Sequence, residues 1–244
     1  MSTGWERLAW DTDFFGFPIA RISASTSSAQ LPAVVAELKR EGVGLAYWLL
    51  DQPDAEREGA ARAEGAALVD AKTTFLGTIE EALAATEGPG PEVLEYEGPP
   101  ARLRELALEA GISSRFRVDP MMRTQDFERL YTIWLERSVR REIARAVYVT
   151  GGLESSNGFV TVGVKADRAD IGLIAVDSRA RGQGCGRALV RRAAEWGREA
   201  RMKHLQVVTQ GTNAAACGLY RRSGLAVETV NPVFHFWLRA ESAP

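Results

Sequence analysis

Three glycines at alternate positions stand where a strand is expected to give way to a helix. Gly182, Gly184 and Gly186 fall between the apolar run Ile171–Val176 and a segment with helical spacing, Arg187–Arg201. Glycine has no Cβ, so the backbone of such a turn can approach a ligand closely. The first N–H groups of a helix lack intrahelical acceptors, and the helix dipole favours negative charge there. The spacing therefore favours a site for a phosphate or diphosphate group.

Two familiar glycine motifs do not fit this turn. A dinucleotide-binding G-x-G-x-x-G requires glycine at the position that Arg187 occupies. A P-loop requires G-x-x-x-x-G-K-[ST], and Gly182 begins no such sequence. On spacing alone, a tight strand-to-helix turn without a ligand remains the alternative, because glycine turns are common.

The same turn carries a family signature. Arg181-x-x-Gly184-x-Gly186 fits the [RQ]-x-x-G-x-[GA] pattern of the GNAT acetyltransferases, and the preceding Leu173–Asp177 resembles the strand that leads into it. The segment 208–224, VTQGTNAAACGLYRRSG, resembles the strand, Asn-led helix and tyrosine that follow in that family. The resemblance implies acetyl-CoA as the cofactor and acetyl transfer to an amine.

The resemblance also implies roles for individual positions. Strand backbone would contact the pantetheine arm of coenzyme A, and the turn would bind its pyrophosphate, with Arg187 or Arg191 as candidates for the 3′-phosphate. The implied cofactor-binding positions are Leu173, Ile174, Ala175, Val176, Arg181, Gly182, Gln183, Gly184, Cys185, Gly186, Arg187, Asn213 and Tyr220.

Tyr220 corresponds to the family's general acid, and its chemistry agrees with that role. Acetyl transfer from a thioester expels a thiolate of ordinary pKa about 8.5, to which a phenol of pKa about 10 can donate a proton or hydrogen bond. The alternatives are a core aromatic for Tyr220 and an N-cap for Asn213. Cys185 and Cys217 have no His or Asp context in the sequence, which argues against a nucleophilic cysteine.

Further segments resemble one branch of the family, the dTDP-fucosamine acetyltransferases, which acetylate the 4-amino group of a dTDP-linked deoxysugar. They are residues 10–16 (WDTDFFG), 114–117 (SRFR), 127–134 (FERLYTIW) and 230–237 (VNPVFHFW). The residues after the second segment, 118–123, are particular to this chain. The resemblance implies a nucleotide-sugar acceptor in the cytoplasmic synthesis of envelope polysaccharide.

Four residues are expected to contact that acceptor. Arg115 and Arg117 would bind its phosphates and Phe116 would pack on its base or sugar, with a solvated basic loop as the alternative. His235 is expected near the cleft in this fold. The general base is left open among Asp170, Glu154 and His235, for each of which a structural role is the alternative.

A proline- and glycine-rich stretch interrupts the chain. Residues 86–100 contain four prolines and three glycines. We expect a linker at 91–100 between a first domain, 1–90, and a catalytic domain, 101–244, whereas an ordinary surface loop is the alternative.

Hydrophobic periodicity predicts the elements on both sides of this stretch. Before it, we expect strands at Trp5–Trp10 and Ile19–Ile22 around a turn-rich DTDFFGFP, then a helix at Leu31–Lys39, a strand at Leu45–Leu50, a helix at Pro53–Ala63 and a strand at Ala67–Leu76. From it onward, we expect a short strand at Val93–Tyr96, helices at Leu103–Ala110 and Asp126–Val139, strands at Ala146–Thr150, Gly158–Val164 and Asp170–Val176, a helix at Arg187–Arg201, a strand at His204–Thr209, a helix at Asn213–Arg222 and strands at Ala226–Val230 and Val233–Leu238. With the resemblance, this order implies a mixed α/β GNAT acyl-CoA N-acyltransferase fold. Its central mixed sheet would be flanked by helices and preceded by a truncated GNAT-like βαβαβ domain.

The composition narrows the class of function. The chain has 244 residues, 45% of them hydrophobic and 25% charged, with a net charge of −2. No global positive field exists to attract nucleic acid or an anionic membrane. Two cysteines and two histidines fit neither a disulfide framework nor a metal cluster. The N-terminal residues do not resemble a signal peptide, and no apolar run approaches the roughly 20 residues of a membrane span.

We therefore expect a reduced, cytoplasmic enzyme whose partners are acetyl-CoA and a small amine, without a metal, and for which a homodimer is a compatible assembly. Two other functions stay open. One is a GNAT enzyme for a different amine, such as an antibiotic, a polyamine, an amino acid or a protein N-terminus. The other is a non-catalytic acyl-CoA-binding module, whose usual mark would be loss of the tyrosine at position 220.

Overall fold

The structure, a computed structural model, describes residues 4–239. The chain divides into two units, residues 1–72 with 229–244 and residues 73–228. The expected linker at 91–100 lies inside the second unit. The boundaries fall instead within two long strands, β4 (Ala67–Thr78) and β10 (Ala226–Trp237). Each of these strands contributes residues to both units.

The first unit is a mixed sheet with helices packed on it. Its elements before β4 are β1 Trp5–Arg7, α1 Ala9–Phe15, β2 Ile19–Ile22, α2 Leu31–Arg40, β3 Leu45–Leu49 and α3 Ala55–Ala63. The strand order is β1-β2-β3-β10. Strands β2 and β3 are parallel, and the outer pairs are antiparallel. The apolar stripe of α2 packs in one core cluster with the sheet residues Trp48, Phe234 and Phe236.

Two predictions for this unit are wrong. The turn-rich DTDFFGFP is mostly the helix α1, which begins inside the strand expected at Trp5–Trp10. Gly16, at φ 77°, ends that helix and donates its N–H to the carbonyl of Thr12. The two strands expected after residue 226 are the single strand β10. Pro232 has no N–H to donate, but the amide of Asn231 donates to the carbonyls of Leu50 and Asp51, at 3.0 and 2.7 Å.

The second unit has a five-stranded order, β9-β8-β7-β6-β5. Pairing is antiparallel except between β8 and β9, which are parallel. Its elements between β4 and β10 are α4 Ile79–Ala85, β5 Val93–Glu95, α5 Arg104–Ala110, α6 Arg115–Val118, α7 Thr124–Val139, β6 Ala146–Thr150, β7 Gly158–Lys165, β8 Arg168–Val176, α8 Cys185–Glu199, β9 His204–Gln210 and α9 Ala214–Arg222, with 3-10 helices at Pro100–Leu103 and Ser178–Ala180.

Helices cover both faces of this sheet. Helices α4 and α8 share one core cluster with Tyr148 of β6, whereas α5 and α7 share the other with its neighbours Val147 and Val149. Strand β6 is buried along its whole length. Apolar residues on both faces of a strand are typical of such a central position.

Helices α4 and α6 were missed. A capping box begins α4, because Thr78 Oγ1 accepts the N–H of Glu81 at 3.1 Å and the Glu81 carboxylate accepts the N–H of Thr78 at 2.9 Å. Helix α6 covers the arginines that were expected in a loop, and Ser114 caps it by accepting the N–H of Phe116 at 3.1 Å. Among residues 4–239, no helix is long and apolar enough to cross a membrane.

Candidate functional site

The parallel strands β8 and β9 separate partway along their length. Their backbones pair only from Ala169 to Ile171 in β8 and from Leu205 to Val207 in β9. Strand β8 nevertheless continues to Val176, and β9 continues to Gln210. On its other edge β8 stays paired with β7 as far as Val176. The unpaired edge of β8 can therefore offer backbone N–H and C=O groups to an extended ligand, as an exposed sheet edge does to an added strand.

A β-bulge lies at the point of separation. The register between β7 and β8 shifts between Val160 and Val162. As a result, Gly172 and Leu173 of β8 both lie opposite Thr161 of β7. The hydroxyl of Thr161 accepts the N–H of Leu173 at 2.8 Å. Bulges strengthen local twist and end pairing beside functional sites, which agrees with the separation from β9.

The bulge also sets which way the predicted cofactor-binding strand faces. Before it, Ile171 belongs to the core cluster under α8, and after it Ile174 and Val176 pack there. Leu173 and Ala175 pack on the opposite side, with α5 and α7. The side chains of Leu173–Val176 are thus held by the two cores, which leaves the strand's backbone as the group that a ligand can reach.

The turn after β8 has the expected strand-turn-helix form. Gly182 and Gly184 have φ of 80° and 83°, a left-handed backbone that glycine adopts without strain. No side chain caps α8, so its first N–H groups are available to an anion. Gly186 has a different role, because a Cβ there would lie 3.1 Å from Leu219 of α9. Two glycines shape the turn, and the third lets α8 approach α9.

Ion pairs hold the charged side chains of this turn. The Arg179 guanidinium and backbone N–H both donate to Asp177, and these hydrogen bonds lower the pKa of Asp177 to about 2. Arg181 pairs with Glu109 of α5. The amide of Gln183 donates to the carbonyl of Arg179 at 3.2 Å. The side chains therefore brace the turn, and none of them caps the first amides of α8.

A polar cavity of about 710 Å³ adjoins the turn, with Glu105, Asn157 and Gln183 among its lining residues. Cys185 lies under the turn, only 2% exposed, with Sγ 3.8 Å from Oδ1 of Asn157. Cys217 is also buried. Neither position suits a nucleophile that must reach a bound substrate.

Arg187 and Arg191, the candidates for the 3′-phosphate, are bonded to protein groups. Arg187 donates to the carbonyl of Glu87 at 2.7 Å and to that of Pro89. Arg191 donates to the carbonyl of Leu83 at 3.3 Å and pairs with Glu195. The structure thus gives both arginines structural contacts.

These contacts place the proline- and glycine-rich segment along α8. A Cβ on Gly90 would lie 3.5 Å from Cβ of Ala188, and one on Gly184 would lie 3.8 Å from Cδ of Pro91. Residues 86–91, the clasp segment, therefore run beside the first turn of α8.

Helix α9 places Asn213 and Tyr220. Oδ1 of Asn213 accepts the N–H of Ala216 at 3.1 Å, so Asn213 is an N-cap. Tyr220 is 2% exposed and its ring centroid lies 5.5 Å from that of Phe75. Burial raises the pKa of Tyr220, and the Cys217 thiol adds to the effect. Among the described residues its hydroxyl has no hydrogen-bond partner, so the carbonyl cap that was the alternative is not observed.

The residues expected to bind the acceptor lie in α6 and on β10. Phe116 is buried, with its ring 6.2 Å from that of Trp134 and the Arg115 guanidinium 4.6 Å from its centroid. Arg117 is exposed and lies 5.9 Å from the ring of Phe127. The ring of Phe116 thus packs into α7, and of these three residues Arg117 has the exposed side chain.

The candidate bases have structural contacts. His235 belongs to the first unit and is fully buried, with its ring centroid 4.9 Å from that of Tyr47. Asp170 accepts the amide N–H of Gln206 at 2.8 Å, across the paired part of β8 and β9. Glu154 pairs with Arg102 at 2.8 Å and is 79% exposed. In the part of the chain that is described, no group of three or more His, Cys, Asp or Glu side chains is arranged to hold a metal ion.

Sequence reasoning missed Thr161. The available signal was Gly172, since an isolated glycine in a strand indicates a bulge or a close approach. A Cβ at Gly172 would lie 2.9 Å from Oγ1 of Thr161, which explains the glycine. The side chain that accepts the Leu173 N–H is determined by the register between β7 and β8. That register cannot be read from the sequence of β8 alone.

Comparison with known proteins agrees with this geometry. Residues 148–225 match the model of the acetyltransferase (GNAT) family. No curated protein matches the sequence.

Several solved structures share the fold. A functionally unknown conserved protein from Staphylococcus epidermidis is 12% identical with a TM-score of 0.65, covering 90% of this chain and 84% of that one. A tandem GNAT protein from the clavulanic acid biosynthesis pathway is 13% identical with a TM-score of 0.58, covering 93% and 77%. A GCN5-related N-acetyltransferase from Sphaerobacter thermophilus is also 13% identical with a TM-score of 0.58, covering 97% and 76%. The chain therefore has the GNAT fold, and its segment 148–225 has the sequence pattern of the acetyltransferase (GNAT) family.

Proposed function

We propose that this protein is an acetyl-CoA-dependent N-acetyltransferase whose acceptor is the amino group of a dTDP-linked amino-deoxysugar. The separation of β8 from β9, directly before a turn of left-handed glycines and an uncapped helix N-terminus, is the observation that supports the cofactor most strongly. An extended amide-containing arm fits the open strand edge, and a diphosphate fits the amides at the start of α8.

Different backbone groups are suited to the pantetheine arm and to the pyrophosphate of acetyl-CoA. The backbone of Leu173–Val176 has hydrogen-bonding groups for the pantetheine amides, and the amides from Gly182 to Arg187 favour the pyrophosphate. Arg181 and Arg179 are neutralised by Glu109 and Asp177, so the amides and helix dipole supply most of the local attraction. Acetyl-CoA supplies the acetyl group and a thiol leaving group.

Tyr220 is the proposed proton donor. The acceptor nitrogen, arriving as a neutral amine, attacks the acetyl carbon, and a C–N bond forms as the C–S bond breaks. The phenolic hydroxyl gives its proton to the departing sulfur, and the proton that the amine nitrogen loses passes through water to the phenolate, which restores the tyrosine. Because burial raises its pKa, Tyr220 holds that proton throughout the neutral range and cannot serve as the base.

The acceptor assignment rests on the resemblance in four segments and on Arg115 and Arg117. These two arginines lie in α6, which Ser114 caps. Two positions apart on a helix, their side chains leave it in different directions. Arg117 is exposed, so its guanidinium is the proposed contact for a phosphate of the nucleoside diphosphate.

The proposal is tested by thiol release from acetyl-CoA with a panel of amines. We expect turnover with dTDP-4-amino-4,6-dideoxygalactose and none with a polyamine, an aminoglycoside or a peptide N-terminus. Arg117→Ala should raise KM for the nucleotide sugar about tenfold with little change in kcat, since it removes a charge-assisted contact made equally before and during the reaction.

Arg140→Ala is the matched control, because Arg140 is an exposed arginine at the end of α7 that pairs with Glu136. Its kinetic constants should equal those of the wild type. Turnover with a different amine alone would support the acetyltransferase activity and contradict the assignment of a nucleotide sugar as the acceptor. Binding of CoA without turnover of any amine would favour a non-catalytic module.

A further inference from the structure

The hydroxyl of Thr161 accepts the backbone N–H of Leu173, which the bulge in β8 would otherwise leave without a hydrogen-bond acceptor. The N–H of Leu173 lies where the ladder between β7 and β8 shifts register, so no β7 carbonyl stands opposite it in the normal way. The Thr161 hydroxyl accepts that N–H at 2.8 Å, and Thr161 is only 2% exposed. A buried N–H without an acceptor is costly, so this hydroxyl favours the bulge over a regular ladder.

Gly172 completes the arrangement. A Cβ at this position would lie 2.9 Å from Oγ1 of Thr161, a distance that real Cβ atoms essentially never show. The pair therefore depends on both residues, a hydroxyl on β7 and the absence of a side chain on β8.

The bulge decides which backbone groups of β8 face the space beside β9. Successive residues of a strand direct their N–H and C=O groups to opposite edges, so a shift of one residue exchanges the edges for every residue that follows. The same shift explains why Ile171 and Ile174, rather than Ile171 and Leu173, share the core under α8. Loss of the bulge would present a different set of amides to the ligand.

We propose that Thr161 is a positioning residue for the cofactor: by holding the Leu173 N–H, it fixes the bulge and so aims the backbone of Leu173–Val176 at the pantetheine arm. This inference rests on the proposed use of acetyl-CoA. Thr161 itself belongs to β7, which lies on the far side of β8 from β9. It acts through Leu173 and not by touching the ligand.

The test compares Thr161→Val with Thr161→Ser in the full chain. Valine keeps the shape and removes the acceptor, whereas serine keeps the hydroxyl. For Thr161→Val we expect KM for acetyl-CoA, and the calorimetric Kd for CoA, to rise about fivefold or more, with KM for the amine unchanged. Thr161→Ser should restore cofactor affinity to near the wild-type value.

Thr150→Val is the control for a purely structural effect. Thr150 is fully buried on the neighbouring strand β6, and its hydroxyl donates to Oδ1 of Asn157 at 2.8 Å. We expect Thr150→Val and Thr161→Val to lower Tm by similar amounts, but only the second to weaken CoA binding. Equal weakening in both variants, or none in Thr161→Val, would overturn the inference.

Hydrogen exchange separates this inference from the proposed function. The amides of residues 171–176 should exchange faster in Thr161→Val than in the wild type and Thr161→Ser, whether or not CoA binds. If the wild type fails to bind CoA, the proposed function fails, and exchange still reports on the bulge. Unchanged exchange in Thr161→Val would show that the hydroxyl does not hold Leu173.

Discussion

At the scale of single residues, Tyr220 is almost completely buried, yet no described residue forms a hydrogen bond with its hydroxyl. A core tyrosine normally finds a carbonyl for its O–H, and a hydroxyl without one agrees with the proposed role of Tyr220 as a proton donor. Its raised pKa follows from desolvation, since burial disfavours the phenolate.

Tyr220→Phe should lower kcat about 100-fold and leave the Kd for CoA nearly unchanged, because it removes proton donation without altering the shape of the site. The loss should be constant between about pH 7 and 9, since a phenol of ordinary pKa about 10, raised further by burial, stays protonated there. Initial rates at several pH values measure this.

Tyr148→Phe is the matched control. Tyr148 is another buried tyrosine of the same unit, but its hydroxyl accepts from Arg192 at 3.0 Å. The Tyr148→Phe variant should have the same kcat as the wild type. A Tyr220→Phe variant as fast as this control would contradict the acid role.

The roles of individual residues were predictable from sequence where those roles depend on local pattern. The glycine turn and the capping role of Asn213 are local, and both are present. The contacts of Phe116 and Arg187 are not local. Phe116 packs on a helix that follows it, and Arg187 bonds to carbonyls in a segment about a hundred residues earlier, so no pattern around either residue could reveal them.

At the scale of elements, the clasp segment is an unexpected part of the candidate site. Arg187 donates to two of its carbonyls, and Gly88, at φ 114°, brings it close enough that an added Cβ would lie 3.1 Å from Nη1 of Arg187. This segment lies outside residues 148–225, which match the family model.

Arg187→Ala should raise KM several-fold for acetyl-CoA and equally for its 3′-dephospho analogue, because the arginine acts by holding the clasp segment beside the start of α8. Gly88→Ala should have a similar effect, since its backbone is left-handed and its Cβ would crowd the guanidinium. Steady-state kinetics with both cofactors measure this.

Arg198→Ala, which removes an exposed arginine from the last turn of the same helix, should change neither KM. A penalty for Arg187→Ala that disappears with the dephospho analogue would instead assign Arg187 to the 3′-phosphate.

Most strands and long helices were predictable because their periodicity is set by burial on one or two faces. Strands β2 and β6 have the predicted bounds, and α2 and α7 differ by two residues or fewer. The errors cluster where tertiary contacts override local signals. Pro232 indicated a break, yet β10 continues through it because Asn231 bonds to the carbonyls of Leu50 and Asp51.

At the scale of the whole molecule, each unit has a core of its own, and the first unit is built from both ends of the sequence. Strand β3 pairs with β2 on one side and with residues 233–237 of β10 on the other. The strand that flanks β3 on its second edge is thus supplied by residues 233–237.

Asn231→Ala should lower the free energy of unfolding by about 1–2 kcal/mol, because it removes two hydrogen bonds that fasten β10 beside β3. Urea denaturation measures this. Gln30→Ala, which removes an exposed amide bonded only to nearby Ser27, should cost much less. Equal effects would show that the Asn231 contacts do not stabilise the sheet.

The placement of β10 also dictates an order of events during synthesis. Strands β1, β2 and β3 are translated well before β10, so their sheet lacks its fourth strand until residues 226–237 have been made. Trp48 lacks its ring contacts with Phe234 and Phe236 through that interval, since both phenylalanines belong to β10. A chain that stops after residue 225 would therefore lack a strand of the first unit, although it contains the whole segment that matches the family model.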